Sequence, residues 1–186
     1  NKNNKILACL DASKYADTVC SYANWASKCL DAKINLLHVL TPNSDYDAPL
    51  DCSGTIGLGA RSGLLEKLTK IDEERAKLDL KKGRLIIEYS KEALIELGDE
   101  VETTHRRGKL SEIIAELDEE AQLIIIGKYG EHETSNKLYL GSNVEKVARM
   151  IHKPLLICPK EFNEVKRFLV AFDGTEGEEK LIDSIT

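Results

Sequence analysis

The chain has 186 residues, of which 42% are hydrophobic and 31% charged, and its formal net charge is −6. That apolar share can build a packed core, which excludes wholesale disorder, and no apolar run approaches the roughly 18 residues of a membrane span. Charge is scattered, with Arg106 and Arg107 the clearest positive cluster, so a basic face for nucleic acid is disfavoured.

The opening NKNNKILACL has no Met and no signal-peptide layout, and reads as a trimmed or mature terminus. Residues 6–10 form a short, continuously apolar run, the pattern of a strand buried on both faces of a parallel sheet. Val19, Ala23, Ala26 and Leu30 then repeat at helical spacing along one stripe. A second apolar run at 34–40 leads into residues 41–61, TPNSDYDAPLDCSGTIGLGAR, whose Pro, Gly, Ser and Asp mark a long loop. A functional segment and a solvated connector explain it equally well.

Leu64, Leu65, Leu68 and Ile71 open a long helical region. Ile86, Tyr89, Ala93, Leu94 and Leu97 continue it as far as Gly98, a natural helix-terminating residue. Gly83 is expected to break this region into two helices, and the charged stretch 66–82 reads as a solvated face. Residues 100–105, EVETTH, make a weaker, more polar strand that belongs near a sheet edge. Helices are expected over 110–117 and 144–151, and strands over 123–127 and from Pro154 to Cys158. The alternation predicts an α/β domain with a five-stranded parallel sheet, order 3-2-1-4-5, and helices on both faces.

Residues 5–13, KILACLDAS, return as RFLVAFDGT at 167–175, and Asp173 lies 162 positions after Asp11. One domain over 1–160 is therefore expected, with 161–186 the linker and first strand and turn of a second. The strand KRFLVAFD at 166–173 is expected to pair with, or pack against, a second molecule near the fifth strand. The five cysteines are widely spaced, with no CxxC pair and no zinc-ligand spacing. They read as reduced, structural thiols in a cytoplasmic protein.

The segment IIIGKYGEHETSNKLYLGSNVEKVARMI runs from a strand through a glycine loop into a helix. Glycines let backbone approach a phosphate, and a helix N-terminus offers free N–H groups and a positive dipole end. Ser142 can cap that helix, with Glu145 completing a capping box, or can donate its hydroxyl to a phosphate. A purely structural loop accounts for the same residues.

The chain resembles the universal stress protein family, through KILACLDAS, INLLHVL, the RRG after the third strand, the strand-loop-helix above and the closing KPLLICP. The resemblance implies a Rossmann-like, adenine nucleotide alpha hydrolase-like fold and a stress-response regulatory module. It implies ATP, accompanied by Mg2+, as ligand. Asp11 matches the acidic residue near the adenosine, and Val39 the residue whose backbone contacts adenine. Ile126, Gly127, Gly130, Gly141, Ser142 and Asn143 match the phosphate and ribose loop. A homodimer through the fifth strand is implied as well. The alternative is a member without nucleotide that acts through dimerisation and protein partners.

The family's nucleotide-binding members carry G-x2-G-x9-G-[S/T], whereas ten residues separate Gly130 from Gly141 here. Glu131 and Glu133 sit where phosphates would pass, and a carboxylate about 4 Å from a phosphate charge opposes it by roughly 4 kcal/mol at a dielectric near 20. Lys128 and Lys137 can offset that, or the glutamates can point outward or hold a metal. His38, His105 and His152 read as packed or surface residues, and His132, inside the loop, is the least ordinary of the four histidines. No GxSxG, HExxH or Walker A sequence occurs, so no catalytic residue and no metal site is assigned. At most slow ATP hydrolysis is expected.

Overall fold

The computed structural model describes residues 4–41, 58–131, 140–167 and 169. In chain order these form β1 (Lys5–Leu10), α1 (Ala16–Leu30), β2 (Lys33–Leu40), α2 (Leu58–Glu96) and β3 (Val101–Arg107). There follow α3 (Leu110–Leu117), a short 3-10 turn, β4 (Ala121–Gly127), α4 (Ser142–Met150) and β5 (Leu155–Cys158). The sheet is parallel throughout and its order is β3-β2-β1-β4-β5, as the alternation predicts. The polar third strand lies at one edge, where its outer face meets solvent.

Side chains alternate across a strand, so β1 feeds two cores. Ile6, Ala8 and Leu10 join Val19, Tyr22 and Ala23 of α1 on one face. Leu7 and Cys9 point the other way, into the layer of Ile113 and Ile114 from α3 and Val144 and Val147 from α4. Cys9 and Cys158 are buried, and burial pushes both thiols up to about 12, so they pack as small hydrophobes.

Gly83 does not divide α2, which runs unbroken for 39 residues. Gly83, Ile87, Ser90 and Leu94 are buried at helical spacing and form the stripe that seats α2 on the sheet. A Cβ on Gly83 would stand 2.4 Å from His38 Cε1 and 2.9 Å from His105 Cε1. The glycine is there so that the helix can close on two imidazoles, and the intact i→i−4 ladder absorbs its intrinsic penalty of about 1 kcal/mol. Gly83→Ala is accordingly expected to destabilise the fold by roughly 1–3 kcal/mol, although alanine is the better helix former. Urea unfolding checks this, and an unchanged midpoint would show that the rings give way freely. Towards its N-terminus α2 leaves the sheet, with Leu65, Ile71 and Leu78 exposed.

The helix ends as expected at Gly98, which has φ +90°, while the Asp99 N–H donates to Leu94 O at 3.1 Å. Beyond β5 the chain turns back over α1. The Tyr22 hydroxyl donates to Asn163 O at 3.2 Å and accepts from Asn163 N, and Phe162 packs 4.8 Å from the Tyr22 ring. Of the strand expected at 166–173, residues 166, 167 and 169 have no regular structure, and the others lie outside the described residues. No helix among the described residues is long and apolar enough to cross a membrane.

Candidate functional site

Where the strand order reverses between β1 and β4, loops part and leave a crevice beyond the carboxyl ends of the strands. A cavity of about 350 Å³ lies there. Its walls are the turn after β1, the end of β2, the loop after β4, the start of α4 and one face of α2.

Asp11, immediately after β1, organises the floor. Its Oδ1 accepts the Ser13 N–H at 3.0 Å and its Oδ2 accepts the Glu131 N–H at 3.1 Å. A single carboxylate thus ties the β1 turn to the glycine loop across 120 positions of sequence. Ser13 in turn accepts the Tyr15 N–H on its hydroxyl and fixes the entry to α1. Val39 contributes from β2, and Ile126 and Gly127 from the end of β4. Gly127 is needed because a Cβ there would lie 2.6 Å from Tyr15 Cβ. At Gly130 a Cβ would lie 3.5 Å from Asp11 Oδ2 and 4.0 Å from Asn143 Nδ2, so this glycine faces the cavity itself.

Ser142 and Asn143 open α4 at the same wall. Seven of the eight residues singled out in the sequence therefore meet around one cavity. The eighth, Gly141, stands behind it and donates its N–H to Lys128 O at 3.2 Å, which closes the loop at its base. The expected cap is corrected. The N-cap is Gly141 rather than Ser142, and Ser142 is the first helical residue. Because α4 begins one residue early, Glu145 falls a position beyond the capping box, and its N–H donates to Gly141 O at 3.0 Å.

Several residues at the site escape a reading of the sequence. Tyr15 and Tyr129 line the cavity with ring centroids 6.1 Å apart. From α2 come Arg75, Asp79 and Lys82. Their spacing of i, i+4 and i+7 puts them on one stripe of the helix, the signal that could have distinguished them within a charged run. Glu131 does not reach along the loop; its carboxylate pairs with Lys82. Glu133, His132 and Lys137 lie outside the described residues. No group of three or more metal-ligating side chains occurs among the described residues.

His38 lines the cavity and stacks on His105, its cross-strand neighbour, with centroids 4.9 Å apart and planes 8° from parallel. Burial, and next His105, lower the His38 pKa; burial, and next Arg84, lower that of His105. His38 Nδ1 and both His105 nitrogens have no hydrogen-bond partner among the described residues. Both shifts favour the neutral imidazoles. The unfolded chain binds these protons near pH 6.5 and the folded chain only below that. Their contribution to stability is thus complete above about pH 6.5 and is lost as pH falls towards the depressed folded values. Melting between pH 7.5 and 5.5 should show this decline, and His105→Phe should reduce it. An identical decline in that variant would assign it to other groups.

A family model described as the universal stress protein family matches residues 2–159. Universal stress protein Slr1230 from Synechocystis is 33% identical over 179 residues, covering 95% of this chain and 62% of that protein. The chain thus spans about three fifths of the length of this curated relative. The solved structure of the hypothetical protein MJ0577 superposes with a TM-score of 0.59 at 20% identity, over 88% of this chain and all of that one. The universal stress protein from Archaeoglobus fulgidus in complex with dAMP gives 0.54 at 15% identity, over 84% of this chain and 98% of that one. These likenesses in structure establish the fold.

Proposed function

The chain belongs to the universal stress protein family, and from that premise we propose that it binds an adenine nucleotide in the cavity at the β1/β4 switch point and serves as a stress-response regulatory module. The convergence of Asp11, Val39, Gly127, Gly130, Ser142 and Asn143 on that cavity carries the reading. The glycines of the loop let backbone approach a phosphate closely, and the α4 N-terminus supplies the positive dipole end that suits one. The dAMP complex of the Archaeoglobus fulgidus relative supports an adenine ligand in this fold. ATP is the ligand proposed, with Mg2+ carried on its phosphate oxygens. The protein acts by binding, with hydrolysis slow at most.

A second reading, a module that works through protein partners without nucleotide, is favoured by the carboxylates of Asp11, Asp79 and Glu131 in the cavity wall. Native mass spectrometry of gently purified protein, followed by calorimetry with ATP and ADP, separates the two. Co-purified or titratable adenine nucleotide is expected. No binding of either at millimolar concentration would leave the partner reading standing.

Assembly and context complete the proposal. Among the described residues β5 pairs with β4 alone, and Leu155, Leu156 and Ile157 are half-buried. Unpaired strand edges promote association, so a homodimer through β5 is proposed, and a monomer in light scattering at high micromolar concentration would refute it. Residues 161–186 are proposed as the linker and first strand and turn of a second such domain. The RFLVAFDGT repeat supports this, as does an alignment with Slr1230 that covers 95% of the chain and so continues past residue 159. The unbridged thiols of Cys9, Cys20, Cys29 and Cys158 favour action in the cytoplasm.

A further inference from the structure

The ion pair between Lys82 and Glu131 joins opposite walls of the cavity. Lys82 belongs to α2, and Glu131 follows Gly130 directly in the glycine loop. Both side chains line the same space as Asp11, Gly130 and Ser142. The loop end of the pair is fixed, since the Glu131 N–H is held on Asp11 Oδ2 at 3.1 Å. The other end is rooted in a helix seated by Gly83, one residue further on. The contact is thus a strap between two anchored points of the cavity wall.

We propose, resting on the nucleotide reading above, that this pair selects the ligand by its phosphate charge: Lys82 must leave Glu131 to meet a phosphate, and Glu131, once released, opposes each phosphate added. Both side chains are partly exposed, at 51% and 33%, and such pairs are worth little on their own, about 0–1 kcal/mol. A terminal phosphate group, which carries more than one negative charge, can therefore displace the carboxylate. The displaced Glu131 cannot retreat far, because its backbone remains tied to Asp11. Asp11 cannot compensate either, since a second carboxylate has no donor to offer and the same sign of charge. Adenosine places no charge near the strap and leaves it closed. A triphosphate has to open it, so the two residues act in opposite senses on one discrimination.

The test is calorimetric titration of adenosine, AMP, ADP and ATP into wild type, Glu131→Gln and Lys82→Met. Glu131→Gln should raise the affinity for ATP relative to adenosine by about tenfold, and Lys82→Met should lower it by about tenfold. AMP and ADP should fall between in order of charge, with adenosine itself within about twofold in all three proteins. The same factor for all four ligands in either variant would overturn the proposal and make the pair an ordinary surface contact. Failure of wild type and both variants to bind any of the four at millimolar concentration would instead overturn the nucleotide reading itself, and this proposal with it.

Discussion

Gly127→Ala is expected to lower the stability of the domain by about 2 kcal/mol, and Gly127→Val by about 3 kcal/mol or more. The added Cβ would lie 2.6 Å from Tyr15 Cβ and 3.1 Å from Tyr15 Cγ, and Cβ is the part of a side chain least able to move. Relief requires a shift of the Tyr15 backbone, which precedes α1 and is held by the Ser13 hydroxyl. Tyr15 is itself buried against Tyr129. For a domain of this size, about 2 kcal/mol corresponds to a fall in melting temperature of roughly 4–8 °C. Calorimetric melting is the check, and an alanine variant melting within a degree of wild type would show that the packing is looser than these distances state. Because Tyr15 and Gly127 both line the cavity, ligand affinity should fall along with stability.

Gly130→Asp should do the reverse, removing nucleotide binding while sparing the fold. A Cβ at Gly130 meets nothing closer than Asp11 Oδ2 at 3.5 Å, an ordinary contact, and the residue needs no left-handed backbone. The fold is therefore expected to accept the added bulk, with melting lowered only by the solvent-screened repulsion between the new carboxylate and Asp11. The new carboxylate stands beside Asp11, in the space proposed for phosphate. Charges about 4 Å apart interact by roughly 4 kcal/mol at an effective dielectric near 20, and solvent will reduce this. Even two thirds of that value lowers affinity about a hundredfold. Gly130→Ala separates charge from bulk. Binding kept by alanine and lost by aspartate is the expected pair of results, and equal loss in both would assign the effect to bulk alone.

The sheet was readable because a parallel sheet covered on both faces writes itself as unbroken apolar runs, such as ILACL, INLLHVL and LIIIG. Their order followed from the alternation with helices. Gly98 was readable for a similar reason, since a left-handed helix end is a local demand that few residues meet. Gly83 was misread because its cause is not local. The rings that require a missing side chain there belong to His38 and His105, which are distant in sequence and adjacent only in the folded sheet. The shift from Ser142 to Gly141 as N-cap is a one-residue matter of where a helix starts, which residue type alone leaves open.

In the candidate site, glycine spacing pointed to the loop, and the resemblance supplied Asp11 and Val39. The stripe of Arg75, Asp79 and Lys82 was hidden within a run of charges that satisfies a solvated helix just as well. The pairing of Lys82 with Glu131 spans 49 positions and depends on how α2 is laid over the sheet. No short-range pattern encodes it.

The strand order also dictates a sequence of events in folding. Lys5 pairs with Lys33, 28 positions on, and with Ala121, 116 positions on. Closing the longer loop directly is about two doublings more demanding, or roughly 1.2 kcal/mol in chain entropy. Once β1, β2 and β3 have joined, only residues 108–120 separate the growing sheet from β4, and that difference disappears. The half-sheet around β2 should therefore form first and β4 should dock late, a nonlocal step of the kind that slows folding. The glycine loop follows β4, and its link to Asp11 cannot exist until β4 is in place. On this order, the cavity at the β1/β4 switch point is among the last parts of the molecule to be assembled, and the first to be lost when the β1–β4 seam opens.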